Sequence, residues 1–443
     1  MENIKMKLVV LGNGFDLANN LPTKYKNFFD YYNDKYSIEF DYIYGLLHKE
    51  KKSKITDSLS GVIPNETYSR IEDELRKGIK KDFNITNTIV KNPYISIWNL
   101  YFWHAKENLK MNNWSDVEGQ IAEVINDFSS LTLLGSEKCI NNISDLIDNF
   151  YNYNIEKTKN KISSYDIIYK EDIYISFSLE DRFRFICDSI VLKRYRKPKS
   201  NEDIYYLDVL KKELEIFEEG FRQYISKISK EIIDKNKRTY RSHLLEIADD
   251  FTSKKLYLLN FNYTEFSNAG ATKIDTVTMS YNKVNIDIKQ INVHGTHQSK
   301  IIFGIDQTDQ NEKSFYQFTK TYRKMEYSDD IPTIQLPEPK YISEIVFYGH
   351  SLSNPDYSYF HSLFDYYNIY GSEIKLCFKY SLHKDKSNCK HNNIQKIMEL
   401  LKTYGEKMFD RARGENLVHK LLLENRLSIC EVILEPLNLI KFI

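Results

Sequence analysis

The chain has 443 residues, with 62 basic and 62 acidic side chains and a formal net charge of zero. That length allows two or three domains or one domain with a large insertion, while the charge balance excludes any general attraction to nucleic acid or an anionic membrane. Five cysteines, odd in number and without metal-type pairing, exclude a disulfide scaffold; with no leader-like start and no run near the roughly 18 apolar residues of a membrane span, a cytoplasmic protein without a membrane partner is expected.

The first element is the apolar run Leu8-Val9-Val10-Leu11, which breaks at Gly12-Asn13-Gly14 into Phe15-Asp16-Leu17-Ala18. This pattern predicts a buried parallel strand, a tight turn and a helix, the place where α/β proteins hold phosphate groups. Glycines at 12 and 14 permit close approach of a ligand, but the third glycine of a dinucleotide fingerprint is replaced by Leu17, and Asp16 puts a negative charge near the helix end. Pro22-Thr23 then offers a break and a cap, and Tyr25, Phe28, Phe29 and Tyr32 follow at helical spacing.

From residue 36 to 250 the pattern is mostly helical. Its clearest helix spans 203–234, with Leu207, Leu210, Leu214, Phe217, Phe221, Tyr224, Ile228 and Ile232 in alternating threes and fours. Such a stripe serves either as core or as a contact between two copies in a homo-oligomer. Strand patterns return after 250, at Leu256 to Phe261, Gln290 to His294, Ile301 to Gly304, Glu344 to Tyr348, Ile374 to Tyr380 and Ile429 to Leu434. Helical patterns cover Asp356 to Tyr367, Ile394 to Tyr404 and Glu415 to Glu424. The expected fold is α/β, Rossmann-like, with a mainly parallel sheet built from 1–35 and 251–443 and a large, mostly α-helical insertion at 36–250.

Three strand ends carry polar groups, and in open α/β sheets such ends line the ligand crevice. They are Asn260-Phe261-Asn262-Tyr263-Thr264, Val293-His294-Gly295-Thr296, and Gly349-His350-Ser351-Leu352 with Asp356. With Gly12 to Asp16 and Leu21-Pro22-Thr23-Lys24-Tyr25, these islands resemble the AbiH family of bacterial phage abortive-infection proteins. Ile302-Phe303-Gly304-Ile305-Asp306 and Trp114-Ser115-Asp116-Val117-Glu118 fit the same pattern. The resemblance implies antiphage defence, with a phage-derived trigger.

The islands also resemble, more distantly, sirtuin-like NAD-handling domains of bacterial defence systems. That likeness implies a nucleotide ligand, NAD, as substrate or ligand with no cofactor required, and two catalytic residues. Asn262 would orient the nicotinamide ribose or a water, and His294 would be the base. The binding residues it implies are Gly12, Asn13, Gly14, Phe15, Asp16, Thr23, Tyr25, Tyr263, Gly295, Gly349, His350, Ser351 and Asp356. This chain departs from the sirtuin-like pattern at Thr264, where Asp is usual, and at Phe15-Asp16, where a small residue and Ser are usual.

Other constellations are weaker. Gly349-His350-Ser351-Leu352-Ser353 starts like a nucleophile elbow but has Ser353 in place of the last glycine. His294 and His297 with Asp306 lack a third ligand at convincing spacing, so no metal is expected. The basic run 193–199 reads either as a nucleic-acid contact or as a solvated loop. Asp116 and Glu118, two apart and so not on one helix face, read as functional carboxylates, which with Asp16 would serve a nuclease, or more simply as exposed charges or salt-bridge partners. A nuclease or RNA-binding effector and a nucleotide sensor without turnover therefore stand as alternatives.

Overall fold

Leu8, Val9, Val10 and Leu11 are fully buried, as an apolar run in the middle of a parallel sheet must be. The computed structural model describes residues 6–48, 53–55, 73, 76–80, 83–84, 86–105, 114–126, 132, 138–163, 173–175, 178–196, 203–234, 236–249, 255–265, 276–281, 284–306, 313–328, 335–352, 356–382, 389–408 and 414–434. In chain order the strands are β1 (Met6–Leu11), β2 (Ser53–Ile55), β3 (Ile173–Ile175), β4 (Lys255–Asn260), β5 (Thr276–Tyr281), β6 (Val284–Asn292), β7 (Ile342–Tyr348), β8 (Lys375–Tyr380) and β9 (Leu427–Glu431).

Seven strands form one sheet in the order β5-β6-β4-β1-β7-β8-β9. All neighbours are parallel except β5 and β6, an antiparallel pair at one edge. The fold is therefore α/β with a mainly parallel sheet. From β1 the chain adds β4 and β6 on one side, then returns to add β7, β8 and β9 on the other. This reversal opens a crevice beyond the carboxyl ends of β1 and β7, the usual ligand position in such sheets.

The chain divides into two compact units. The first, Met1–Phe28, Met111–Gly119 and Glu218–Ile443, holds the seven-stranded sheet. There Leu8, Val10, Phe347, Leu376 and Phe378 share a core with Phe360, Leu363, Phe364, Leu400, Leu401 and Tyr404. The helices Tyr357–Tyr366 and Cys389–Met408 bring these residues to one face by three-and-four spacing. The rings of Phe347 and Phe378 stack with centroids 4.6 Å apart.

The second unit, Phe29–Lys110 and Gln120–Phe217, is mostly helical and includes the antiparallel pair β2 and β3. Lys193, Arg194 and Tyr195 end its helix Leu179–Tyr195 and do not form a solvated loop. Arg194 Nη1 donates to both carboxylate oxygens of Glu213 at 2.7 and 2.9 Å, and the Tyr195 hydroxyl donates to Glu213 Oε1 at 2.6 Å. Lys193 donates to Thr86 Oγ1 at 2.8 Å and lies over the Phe83 ring. Three of the seven residues of the basic run are thus committed to packing, and residues 197–199 lie outside the described residues.

Two further expectations are decided. Leu210, Leu214, Phe217, Phe221, Tyr224, Ile228 and Ile232 are all buried within the single chain, along the helix Tyr206–Ile228 and the π turn Ser229–Ile233. Of the two readings of the stripe, core is the one these residues take, with Leu207 half-buried. Ile301 to Gly304 joins no ladder. Its amides are taken elsewhere: Ile302 donates to the His294 carbonyl at 3.0 Å and Phe303 to Glu218 Oε1 at 2.7 Å.

Candidate functional site

The loop after β1 crosses the loop after β7 backbone on backbone. The Gly12 amide donates to the Tyr348 carbonyl at 3.0 Å and the Gly14 amide to the Gly349 carbonyl at 2.6 Å. A Cβ on Gly12 would lie 2.4 Å from His350 Cα, and one on Gly349, whose φ is +69°, would lie 2.4 Å from the Phe15 nitrogen. Glycine is needed for this crossing, and a phosphate would not find these two amides free. Gly349→Ala is expected to lower the unfolding free energy by about 2 kcal/mol or more, from left-handed backbone strain plus the clash. An unchanged urea midpoint would contradict it.

Below the crossing, Asp16 is fully buried and accepts from the Tyr240 hydroxyl at 2.9 Å and from Thr264 Oγ1 at 3.0 and 2.9 Å. Burial raises its pKa to about 7 against those two hydrogen bonds. Thr264, where the sirtuin-like pattern has Asp, thus serves to hold Asp16. Asn13 and Thr23 bind each other, Thr23 Oγ1 donating to Asn13 Oδ1 at 2.8 Å.

The loop after β4 is shaped by Asn260, whose Nδ2 donates to the Thr264 carbonyl at 2.8 Å and whose Oδ1 accepts from the Asn262 amide at 3.1 Å. This short-range bonding, typical of Asn at turns, presents Asn262 to a cavity of about 360 Å³. Asn262 is 3 % exposed, and neither its side-chain oxygen nor its nitrogen has a hydrogen-bond partner among the described residues. A buried amide without partners costs about 1–3 kcal/mol and marks a group that waits for a ligand or water.

Beside Asn262 lies a buried charged cluster. Lys320, at the start of the helix Lys320–Glu326, donates to Glu118 Oε2 at 3.0 Å and to Asp356 Oδ1 at 2.9 Å. His294 Nε2 lies 3.2 Å from Asp356 Oδ1, and His350 Nε2 lies 3.3 Å from Asp356 Oδ2. Asp356 occupies the N-cap position of the helix Tyr357–Tyr366 yet makes no cap bond with its side chain. Asp306 supplies that bond instead, accepting from the Ser358 amide at 3.2 Å and hydroxyl at 2.5 Å. The Asp356 carboxylate is thereby released to the cavity.

The two histidines differ. His350 Nδ1 accepts from the Leu352 amide at 2.9 Å, so both its nitrogens are engaged. His294 has Nε2 on Asp356, which leaves Nδ1 as the ring's acceptor. Phe261 contacts both rings edge-on, at 5.5 and 4.8 Å between centroids, and Tyr359 closes over His294 at 5.7 Å. Burial, then the Lys320 charge, lowers the His294 pKa to about 4, against the pull of Asp356. Against burial, Asp356 and Glu118 raise the Lys320 pKa, and against burial Lys320 holds Asp356 well below the usual carboxylate range.

A histidine held neutral makes a signed contribution to stability. Between its ordinary pKa of 6.5 and about 4 the unfolded chain takes up the proton first, so stability present above pH 6.5 is lost as pH falls. The advantage of the wild type over His294→Gln in unfolding free energy should therefore shrink by about 3 kcal/mol between pH 7 and pH 4. Parallel urea titrations check this; a constant or growing difference would contradict the buried neutral ring.

Of the fifteen residues expected from the sequence, Gly12, Asn13, Gly14, Asp16, Thr23, Asn262, Tyr263, His294, Gly349, His350, Ser351 and Asp356 line the cavity. Phe15, Tyr25 and Gly295 do not. Phe15 packs on Tyr240, Tyr25 is buried, and Gly295, at φ +80°, forms the turn that brings Ile302 back to the His294 carbonyl. Glu118 is a salt-bridge partner, of Lys320, as one reading had it, but is buried and not an exposed charge, and the side chains of Trp114, Ser115 and Asp116 lie outside the described residues. Lys320 was not signalled by any local pattern. His297 points away from His294, toward Ser229 and Glu265. Among the described residues no group of three His, Cys, Asp or Glu side chains is placed to hold a metal ion.

The family model for bacteriophage abortive infection AbiH matches residues 8–380. The chain belongs to the AbiH family. Its role is accordingly in phage abortive infection, and the matched region runs from β1 to the end of β8, taking in Gly12, Asn262, His294, Lys320 and Asp356. Searches of curated proteins and of solved structures returned no match. Among the described residues no helix is long and apolar enough to cross a membrane. Most of the scattered AbiH islands bring residues to one place: the Gly304 amide bonds Glu118, Asp306 holds the helix that follows Asp356, and Gly12, Asn262, His294, Gly349 and Asp356 line the cavity.

Proposed function

We propose that this AbiH protein is a cytoplasmic antiphage effector, released by a phage-derived trigger, that binds NAD in the cavity and hydrolyses its nicotinamide–ribose bond. The observation that carries this reading is the Asn262 amide, buried and unpartnered beside a neutral His294. The sheet supports it as well. Numbered by chain order, the six parallel strands lie 3-2-1-4-5-6, the Rossmann order in which dinucleotides bind at the reversal.

In the proposed reaction the Asn262 amide holds a water or the ribose hydroxyls, using both its donor and its acceptor. The bond from C1′ to nicotinamide breaks with its electron pair going to the ring nitrogen, which leaves neutral nicotinamide. The water oxygen bonds to C1′ and its proton passes to His294 Nδ1. Asp356, on the far nitrogen, orients the ring and stabilises the imidazolium that forms.

Purified protein incubated with NAD, with and without chelator, tests the reading by chromatography of free nicotinamide. Release that survives chelation and is lost in Asn262→Ala and His294→Ala is the expected result. NAD binding without release would favour a sensor. The nuclease or RNA-binding alternative has less support, since Lys193, Arg194 and Tyr195 are engaged within the second unit.

A further inference from the structure

We propose that Glu118 is a positioning residue of this site: by sharing the Lys320 ammonium with Asp356, it sets how much of the Asp356 charge is left to hold and polarise His294. Lys320 Nζ and His294 Nε2 meet on the same atom, Asp356 Oδ1, at 2.9 and 3.2 Å, while Glu118 Oε2 lies on the other side of the ammonium at 3.0 Å. Lys320 is almost wholly buried, so water cannot take over a partner's share. Two carboxylates therefore compete for one cation, and His294 feels the outcome through a single oxygen. His350, on Asp356 Oδ2, is fixed by its second bond to the Leu352 amide and lies outside this competition.

Glu118 is able to change state where it sits. Its carboxyl receives the Gly304 amide and Lys320 Nζ, and Lys320, Asp356, Tyr263 and Tyr359 are the titratable groups whose charges act on or with it. Lys320 and Tyr359 come from helices, Asp356 from a helix start and Tyr263 from the loop after β4. Lys324, bonded to the Val293 carbonyl at 3.1 Å, adds a positive charge near His294 that it gives up near pH 8, burial having lowered its pKa to about 8. Burial raises the Glu118 pKa to about 7, opposed by Lys320 and assisted by Asp356. Protonated Glu118 leaves the ammonium to Asp356 and weakens its hold on His294. Ionised Glu118 draws the ammonium back, and His294 becomes the stronger base.

This inference concerns the same cavity and rests on the NAD reading only for its activity readout. The direct test is the histidine Cε1 carbon spectrum of the full chain between pH 6 and 9, with His294 assigned through His294→Gln. The wild-type His294 resonance should move with a midpoint near pH 7 although that ring does not itself titrate there. In Glu118→Gln, which keeps an acceptor for Lys320 and Gly304, the movement near pH 7 should vanish and the resonance should rest at the low-pH wild-type position until Lys324 loses its charge near pH 8, a step common to both proteins. Glu118→Asp should restore a titration with a displaced midpoint, and it serves also if Glu118→Gln folds poorly. An unchanged midpoint in Glu118→Gln, or no movement in the wild type, would overturn the proposal. In the nicotinamide assay a rate limb near pH 7 should disappear in Glu118→Gln, leaving the low-pH rate throughout. A wild type that releases no nicotinamide would end the NAD reading, while the spectrum would still decide the role of Glu118.

Discussion

Asn262→Leu should fold more stably than the wild type and lose NAD turnover altogether. The native amide is buried with both polar atoms unpartnered, a penalty of about 1–3 kcal/mol that an apolar side chain of similar size removes. A gain of about 1 kcal/mol in unfolding free energy is expected after allowance for imperfect packing. Turnover should fall by at least about 100-fold, because leucine can neither donate to nor accept from a water or a ribose hydroxyl. Stability gained while function is lost is the mark of a residue kept for its ligand. Urea denaturation and the nicotinamide assay on one preparation would check both halves. A variant that is destabilised by more than 1 kcal/mol would show that the amide has a structural partner.

Lys320→Met should be the most damaging single change in the cavity. It removes the cation between two buried carboxylates, and a broken buried pair typically costs about 3–5 kcal/mol because the partners remain uncompensated. The loss should depend on pH with a definite sign. In the wild type the Asp356 pKa is depressed, so its contribution is present above the ordinary value of 3.8 and lost as pH falls. Without Lys320, both Asp356 and Glu118 have folded pKa values above their unfolded ones, and stability is lost as pH rises. The gap between variant and wild type should therefore widen from pH 5 to pH 8. A gap that narrows over that range, or a loss below 1 kcal/mol, would mean that the cluster is hydrated. Adding Glu118→Gln should recover part of the loss at pH 8, since one of the two unpaired charges is gone.

Strands β1, β4, β7 and β8 were legible in the sequence because strands buried on both faces need unbroken apolar runs. β5 was not read, although Thr276 to Tyr281 alternates polar and apolar residues strictly, because an edge strand with one apolar face offers no unbroken apolar run. Ile301 to Gly304 has the composition of a strand, yet the Glu218 carboxylate and the His294 carbonyl take amides that a ladder would need. Local composition cannot register a partner far away in the chain. The site follows the same logic. Asn262, His294, His350 and Asp356 stand at strand ends beside glycine or another turn former, so their placement could be foreseen. Lys320 could not, because its partners Glu118 and Asp356 are 202 and 36 positions away. The glycine turn was legible as a turn but not as a crossing, since the loop that Gly12 and Gly14 accommodate comes from residues 348 to 350.

Calorimetric titration of NAD into the wild type and into Asn262→Leu bears most directly on the claim that this cavity is a dinucleotide site. The wild type should bind one NAD per chain with a negative heat-capacity change, from burial of the ligand against Phe261 and its neighbours, and the folded Asn262→Leu variant should give no heat of binding. Equal binding by both proteins, or none by the wild type, would contradict the account.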